Sequence, residues 1–280
     1  MAQSRQSHGN VVDKMSEEFV SPSVYRGFYE AYAAAAPELD PAEEARIEET
    51  LGHLPAACTS ALDVGCGIGR LLSRLRQRYF CAGVDISFAA LKRSSVKNLC
   101  TQGLIQSLPF PSGAFDAAVC TEVLEHIPED LFPAAIAELR RVARKYILIS
   151  IPNRENLLEK TVSCHSCGLT FHRYGHLRSF NPDNLAKLFH PHFHLEECWE
   201  MGSPEAIWNP FLLRVRTMAG TESVNNVAPC PVCGNNQAEA ATGLNRLVHR
   251  GCDFLQRRVA SRWYQQPYWL GALYRVANDV

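Results

Sequence analysis

The sequence predicts an α/β protein built on a doubly wound, mostly parallel sheet, with a helical, cysteine-bearing extension at its carboxyl end. Three observations predict this fold. Apolar strand patterns alternate with helical patterns between residues 60 and 151. Two of these strands end in an aspartate, Asp63 and Asp85. A glycine-rich turn follows the first strand, and ligands of such sheets bind beyond the carboxyl ends of the strands.

The composition is that of a globular protein with a sizeable core. The chain has 280 residues, of which 46% are hydrophobic and 20% charged, enough for one large domain and a smaller module. A net charge of −1 gives no strong signal for nucleic-acid binding. No apolar run is long enough to cross a bilayer, and residues 1–10 lack the apolar core of a signal peptide. The protein is therefore expected to be cytoplasmic.

The order of motifs along the sequence predicts three segments. Residues 1–16 are expected to form a disordered tail, and residues 17–200 a Rossmann-like domain that carries a cysteine-bearing insertion near residues 160–180. Residues 201–280 are expected to form a carboxyl-terminal zinc-knuckle and helical extension. Near the start of the domain, an aromatic stripe from Val20 to Tyr32 predicts a helix, either packed on the core or acting as a lid over a ligand site.

The turn after the first strand has glycine at alternate positions, Gly65, Gly67 and Gly69. Glycine permits positive φ and leaves no Cβ between the backbone and a ligand. Asp85 ends the next strand 20 residues after Gly65, where a carboxylate can accept hydrogen bonds from ribose hydroxyls. A dinucleotide fingerprint needs its third glycine three positions after the second, and here the interval is two. The spacing therefore disfavours a nicotinamide cofactor.

Taken in series, the motifs of this region resemble those of class I S-adenosylmethionine-dependent methyltransferases of the methyltransferase-11 type, over about residues 42–152. The matching segments are Asp63–Gly69, Gly83–Ser87, Leu108–Phe110, Phe115–Asp116 and Val123–Ile127. Two departures indicate a divergent subgroup. Leu104 stands where the family commonly has an acidic residue that recognises adenine, and residues 143–145 replace the usual Pro-Gly-Gly turn.

The resemblance implies S-adenosylmethionine as cofactor. It implies that the backbone of the glycine turn cradles the methionine part, with Asp63 supporting its ammonium group. Asp85 would hold the ribose, Ile86 would pack on adenine, and backbone groups near residues 105 and 106 would recognise the base. The cofactor-binding residues expected on this basis are Asp63, Gly65, Cys66, Gly67, Gly69, Asp85, Ile86, Ile105, Gln106 and Glu122.

Methyl transfer to an amine or hydroxyl is helped by a base that removes the acceptor's proton. Glu125 and His126 follow the strand that ends near residue 120, at the edge where sheet sites are built. His126 is the better candidate, since the ordinary pKa of histidine lies near neutrality. The alternative is that His126 only holds the loop in place.

Two copies of a C-x-x-C-G pattern stand out among eleven cysteines. Their cysteines are the expected metal ligands Cys164, Cys167, Cys230 and Cys233. Each pair supplies two sulfurs from one tight turn, as a structural four-thiolate zinc site requires. The pairs could instead serve separately or in redox chemistry, and His165, His172 and His176 are rival ligands for the first pair.

The segment after the first pair is a candidate acceptor site. His172, His176 and Arg178 could bind an anionic or hydroxyl-rich acceptor. They could equally be exposed loop residues or neighbours of the zinc.

The end of the chain, from about residue 240, mixes arginines with apolar and aromatic residues. One interpretation is a helical element packed on the main domain. The other is peripheral contact with an anionic membrane or a lipid-linked acceptor.

Together these features predict an S-adenosylmethionine-dependent methyltransferase acting on a small-molecule, sugar or lipid-linked acceptor, with oxygen favoured as the methylated atom. A second hypothesis is a non-catalytic protein that binds the cofactor or interacts through its zinc module. A third, protein or RNA methylation, lacks a Pro-Pro-Tyr type acceptor motif and a strongly basic surface.

Overall fold

The computed structural model describes residues 22–35, 40–164, 166–219, 229–235, 243–258 and 265–277. The tail expected at residues 1–16 lies outside the described residues, as does His165.

Strands and helices alternate through the first half of the chain. The elements in order are α1 (Pro22–Ala35), α2 (Pro41–Gly52), β1 (Ser60–Val64), α3 (Arg70–Leu75), β2 (Phe80–Asp85), α4 (Phe88–Arg93), β3 (Cys100–Gln102), β4 (Phe115–Thr121), α5 (Phe132–Val142) and β5 (Ala143–Pro152). Helix α2 begins at Pro41, where Asp40 and Glu43 form a capping box.

The described residues of the second half add a small hairpin, two long strands and three helices. These are β6 (Thr161–Ser163), β7 (Thr170–His172), α6 (Pro182–Leu185), β8 (Phe193–Ala206), α7 (Pro210–Met218), α8 (Gly243–Arg258) and β9 (Gln265–Val276). No described helix combines the length and the apolar composition needed to cross a bilayer.

Seven strands form one sheet in the order β3-β2-β1-β4-β5-β9-β8. The first five pair in parallel, while β9 is antiparallel to both β5 and β8. The α/β fold class with a mostly parallel, Rossmann-like sheet is therefore confirmed. From β1 the strand order runs through β2 to β3 on one side, and β4 and β5 follow on the other side. At this switch point, between β1 and β4, a crevice opens at the carboxyl ends of the strands.

Burial explains why the central strands read as continuous apolar runs. All five residues of β1 are buried, and β5 is buried from Tyr146 to Pro152. One apolar layer lies on each face of the sheet, since α2 and α3 cover one face and α5 covers the other. Parallel sheets need both faces covered, so such strands alternate little between apolar and polar residues.

The carboxyl-terminal part is not separate from this sheet. The boundary expected after residue 200 falls within β8, and β9 lies between β5 and β8. Strands β8 and β9 stay paired as far as Ala206 and Gln265, beyond Pro152, where β5 ends opposite Trp269. A two-stranded ribbon thus continues past the carboxyl edge of the parallel strands.

Helix α1 and the β6–β7 hairpin share a smaller apolar cluster. Phe28 packs there with Val162, Phe171 and two of the cysteines. Gly175 has φ +78°, and a Cβ on it would lie 2.7 Å from Phe28 Cε1. Glycine is therefore required for α1 to approach this segment so closely.

Candidate functional site

A cavity of about 630 Å³ opens at the carboxyl edge of the sheet, between β1, β2, β4 and the ribbon of β8 and β9. Helix α1 contributes Tyr29 and Tyr32 to its wall, and β9 contributes Tyr268 and Trp269. One end of the cavity is formed by the glycine turn, and the other by a cluster of histidines and carboxylates.

The glycine turn adopts the backbone that its sequence predicts. Gly65, Gly67 and Gly69 all have positive φ, at +79°, +53° and +81°. A Cβ on Gly65 would lie 2.2 Å from Val123 Cγ2, whereas a Cβ on Gly67 would enter open space. The turn is thus tightly packed behind Gly65 and open at Gly67, as a cradle for a ligand requires.

Asp85 is fixed beside this turn by two backbone amides. Gly67 N donates to one carboxylate oxygen at 2.8 Å, and Ser87 N donates to the other at 2.7 Å. Burial raises the pKa of Asp85, and these two hydrogen bonds oppose that rise. Asp85 is therefore held rigidly at the end of β2, with lone pairs remaining for a ligand's hydroxyl groups.

Asp63 is the buried carboxylate of the site. Its side chain is 1% exposed, and its Oδ2 atom has no hydrogen-bond partner. Burial, followed by the charge of Asp85, raises the pKa of Asp63 to about 7. A buried, unpaired carboxyl oxygen costs free energy until a donor or a cation meets it.

These features fit S-adenosylmethionine. Asp63 offers an unpartnered oxygen to an ammonium group, the open side of Gly67 admits a chain against the backbone, and Asp85 offers acceptors for a ribose. Ile86, Ile105 and other apolar residues complete the wall beside them.

At the other end of the cavity, Glu122 and Arg46 form a polar link between three elements. Glu122 follows β4 with φ 54°, and its carboxylate accepts a 3.0 Å bond from Trp269 Nε1. Arg46 of α2 is buried and donates to Ser150 Oγ at 2.8 Å, with Glu122 Oε1 4.0 Å from its Nη1 atom. The positive φ aims Glu122 into this network, at a cost in backbone strain.

A second cluster surrounds Glu155, which follows the end of β5. Its Oε2 atom meets Nδ1 of His176, and Lys160 Nζ lies 3.3 Å from its Oε1 atom. Burial raises the pKa of Glu155, but its bond and charge interaction with His176 outweigh burial and lower the pKa to about 2. Glu155 is thus ionised at neutral pH and fixes the ring of His176 through Nδ1. Nε2 is the ring nitrogen of His176 that Glu155 does not contact.

His172 supports this arrangement from behind. It is fully buried, and its Nδ1 atom accepts the backbone amide of His176 at 3.1 Å. Burial lowers the pKa of His172, so the ring is neutral and its proton must be on Nε2, 3.6 Å from Glu155 Oε1. Glu155 and His176 are thus bonded directly, and His172 joins them through the backbone amide of His176.

His126 lines this end of the cavity, and the neighbouring Glu125 is buried behind the wall. Burial, and then the nearby His176, lower the pKa of His126 to about 3, and its Nδ1 lies 3.3 Å from the carbonyl of Gly175. Glu125 is fully buried with both carboxyl oxygens unpartnered, and burial raises its pKa well above the ordinary value. Burial therefore favours the uncharged form of both side chains.

The sequence-predicted residues separate into those that reach the cavity and those that do not. The wall includes Asp63, Gly65, Cys66, Gly67, Asp85, Ile86, Ile105, Gln106, Glu122, His126 and His176. Gly69 instead packs against Ser94 and Val96, and Glu125 and His172 lie behind the wall. Arg178 donates to the Ile127 carbonyl at 2.7 Å and stacks on Phe132, so it braces the loop after β4.

Sequence reasoning missed five residues of the site: Arg46, Glu155, Lys160, Tyr268 and Trp269. A signal existed for Glu155, which stands three residues past the end of β5, at the sheet edge where sites are built. No local pattern marks Arg46 or Trp269, because each reaches the cavity through the packing of distant elements.

Helix α1 is attached over the cavity by Glu30. The carboxylate accepts bonds from the backbone amides of Phe88 and Ala89, each 2.8 Å long, and from the Ser87 hydroxyl. Partial burial raises the pKa of Glu30, but the hydrogen bonds outweigh it and the pKa is lowered. An ionised side chain from one helix thus caps the first turn of another, α4.

The two C-x-x-C-G segments meet in space. Cys164 Sγ lies 3.5 Å from Cys233 Sγ, and Cys167 Sγ lies 3.6 Å from Cys230 Sγ. All four sulfurs lie within 4.8 Å of one another. The two turns also share one backbone pattern: in each, the glycine amide donates to the carbonyl of the first cysteine, at 2.8 Å for Gly168 and 2.9 Å for Gly234. Four converging sulfurs on paired tight turns are compatible with a structural zinc.

Comparison with known proteins relates the sheet to methyltransferases. Residues 62–148, which run from β1 to β5, match the family model of a methyltransferase domain. An uncharacterized protein of Methanocaldococcus jannaschii is 30% identical over 103 residues, or 36% of this chain and 44% of that protein. The ubiquinone biosynthesis O-methyltransferase of Chromobacterium violaceum is 33% identical over 89 residues, or 28% of this chain and 37% of that enzyme. The chain thus matches less than half the length of either relative.

The fold is shared more widely than the sequence. A chain of the complex between the Haloferax volcanii Trm112 methyltransferase activator and the putative methyltransferase superposes with a TM-score of 0.54 at 13% identity, covering 91% of this chain and 98% of that one. At this identity the likeness shows a shared α/β fold and nothing further.

Proposed function

We propose that this protein is an S-adenosylmethionine-dependent methyltransferase that acts on a small-molecule, sugar or lipid-linked acceptor. The observation that carries the proposal is the buried, unpartnered oxygen of Asp63, which lies beside a glycine cradle and an amide-fixed Asp85 in one cavity. The match of residues 62–148 to a methyltransferase domain supports it.

In this proposal the cofactor supplies an electrophilic methyl carbon on a sulfonium, and the protein aligns the acceptor with it. Asp63 would hold the ammonium group, Asp85 the ribose, and the backbone near Gly67 the chain between them. The tyrosines of α1 and the ribbon of β8 and β9 would keep water from the reacting groups. Positioning of this kind lowers the barrier without covalent participation of the enzyme.

For proton removal we favour His176 over His126. A base needs affinity for the proton it takes, and a pKa of about 3 gives His126 little. His176 lines the cavity, and the ionised Glu155 on its Nδ1 atom orients the ring and stabilises the imidazolium that forms. His172 would act as a positioning residue, because it holds the backbone of His176.

The wall of the acceptor end suggests an acceptor with an extended flat or apolar part. Tyr29, Tyr32, Tyr174, Tyr268 and Trp269 all face the cavity. Lys160 donates to Tyr268 Oη at 2.8 Å and lies over its ring. A hydroxyl-bearing acceptor fits this surface, and the matched relative that is an O-methyltransferase supports oxygen as the methylated atom.

We also propose that Cys164, Cys167, Cys230 and Cys233 hold one structural zinc ion. Two of these cysteines share the apolar cluster of Phe28 and Phe171, so the metal would stabilise the region on which α1 packs. Closed four-thiolate sites contribute to folding rather than to catalysis.

The alternatives differ in partners and in catalysis. A complex with the Trm112 methyltransferase activator among the structural neighbours makes a protein partner a candidate for this chain. Protein or RNA methylation is an alternative that this neighbour does not decide. A non-catalytic cofactor-binding role is the other alternative, and the polar cluster around Glu155 and His176 argues against it, since binding alone does not need an oriented base.

Transfer of tritium from labelled S-adenosylmethionine to a panel of phenols, sugars, isoprenoid lipids, peptides and RNA would test the proposal. We expect labelling of a hydroxyl-bearing small molecule or lipid, and its loss in Asp85→Ala, which should also weaken cofactor binding by about tenfold or more in calorimetry. Cofactor binding without transfer to any acceptor would favour the non-catalytic alternative, and labelled peptide or RNA would favour the third.

A further inference from the structure

Helix α8 packs with its polar side inward. His249, Cys252 and Gln256 are its buried residues, each about 5% exposed. Gln256 bonds to the amide of Asn209 and to the carbonyl of Ile207, and His249 Nε2 lies 3.2 Å from the carbonyl of Arg216. Polar contacts thus hold α8 on α7 and on the chain that precedes α7.

The opposite side of α8 is apolar and exposed. Leu244, Leu247, Phe254 and Leu255 are 74%, 64%, 59% and 45% exposed, and at 100° per residue they fall on one stripe. Helix α7, on which α8 packs, has two exposed apolar residues of its own, Phe211 and Met218, which are 71% and 79% exposed. Clustered exposure of large apolar side chains marks an interaction site.

Positive charge surrounds this apolar surface. Within α7 and α8 the arginines are Arg214, Arg216, Arg246, Arg250, Arg257 and Arg258, and Asp253 is their one acidic residue. Asp253 lies 3.4 Å from Arg216. Arg258 lies over the ring of Phe254, which places charge directly at the apolar stripe. Since the whole chain has a net charge of −1, this is a local concentration of positive charge.

In the chain, α7 follows β8 and α8 precedes β9, so both helices connect to the far end of the β8–β9 ribbon. The ribbon extends past the carboxyl edge of β5, and its Ser203, Glu205 and Tyr268 line the cavity. A surface that binds α7 and α8 would therefore lie near the cavity mouth.

We propose that the α7–α8 surface docks on an anionic phospholipid bilayer. Its apolar side chains would enter the interface, and its arginines would pair with anionic headgroups, as in interfacial amphipathic helices. The packed-element interpretation of the chain end does not explain an apolar stripe that faces solvent. Delivery of an amphiphilic acceptor to the cavity would follow, and that consequence alone rests on the proposed methyl transfer.

Flotation of the full chain with vesicles tests this proposal without cofactor or acceptor, so its result is independent of catalysis. We expect binding to vesicles of phosphatidylglycerol and phosphatidylcholine at least about tenfold tighter than to phosphatidylcholine alone, and weaker binding in high salt. Phe254→Glu and Leu247→Glu should each reduce binding by about tenfold. Phe80→Glu is the matched control, because Phe80 is 78% exposed and is the first residue of β2, at the amino ends of the parallel strands.

The charge is tested separately. Arg250→Glu with Arg258→Glu should remove the preference for anionic vesicles, whereas the exposed pair Arg76→Glu and Arg78→Glu should leave it unchanged.

Equal binding of the native chain and the Phe254→Glu variant would overturn the proposal. It would also be overturned by a concentration-dependent dimer in light scattering that Phe254→Glu abolishes, since a second copy of the chain would then cover the surface. Circular dichroism of each variant checks that the fold is retained.

Discussion

At the scale of single residues, we expect Asp63 to couple stability to cofactor binding. Its pKa of about 7 in the folded protein exceeds that of an unfolded aspartate, so the folded state binds the extra proton between these values. The stability of the ligand-free protein should therefore fall as pH rises from about 4 to 7. A buried carboxylate without a cationic partner lowers the free energy of unfolding of the ligand-free protein.

Asp63→Asn should separate these two effects. We expect it to raise the free energy of unfolding at pH 8 by ~2 kcal/mol, with little change at pH 4, because the cost of the buried charge is removed. Cofactor affinity of the native protein should rise about tenfold from pH 6 to pH 8, and the variant should bind weakly at both. Urea denaturation and calorimetry measure the two quantities. A variant that is less stable at pH 8 would contradict this account of Asp63.

The choice of base is also a question of single residues. His176→Ala should lower kcat about a hundredfold and Glu155→Gln about tenfold, with smaller changes in KM. Added imidazole should partly restore the rate of His176→Ala, which loss of a structural residue would not allow. His194→Ala, at an exposed position of β8, is the control. Activity that survives His176→Ala but not His126→Ala would return the role to His126.

At the scale of elements, α1 depends on an interaction between helices. Glu30 caps α4, and its lowered pKa means that its contribution is present above the unfolded pKa and lost as pH falls through the folded one. Glu30→Gln should therefore destabilise the docking of α1 by about 1 kcal/mol at neutral pH. Hydrogen exchange of the α1 amides measures this, with Glu44→Gln of α2 as control. Equal protection in both variants would show that Phe28 and Tyr29 suffice to hold the helix.

At the scale of the whole molecule, the paired cysteines join segments more than 60 residues apart. Purified protein should contain about one zinc per chain, and Cys230→Ser should lose it and lower the Tm by several degrees. Cys198→Ser, at an exposed cysteine outside the cluster, should change neither. Because Cys230 shares an apolar cluster with Phe28, metal loss should also loosen α1 over the cavity. Stable, fully folded protein without metal would contradict the zinc site.

Prediction from sequence succeeded where a local rule decides the structure. The positive φ of Gly65, Gly67 and Gly69 and the strands that carry Asp63 and Asp85 at or near their carboxyl ends each follow from a few adjacent residues. The placement of β9 between β5 and β8 had no such signal, because a strand's neighbours are set by how the whole sheet assembles and not by the strand's own residues.

The sequence by itself determined the strand-turn-helix cradle, its two aspartates and the two cysteine knuckles, because glycine conformation, apolar periodicity and C-x-x-C spacing act within a few residues. Only the tertiary structure decided that Glu155 orients His176, that the four sulfurs meet, and that α8 turns its apolar stripe outward. Each of these depends on which buried groups find partners across the fold, and pairing over long separations is set by packing.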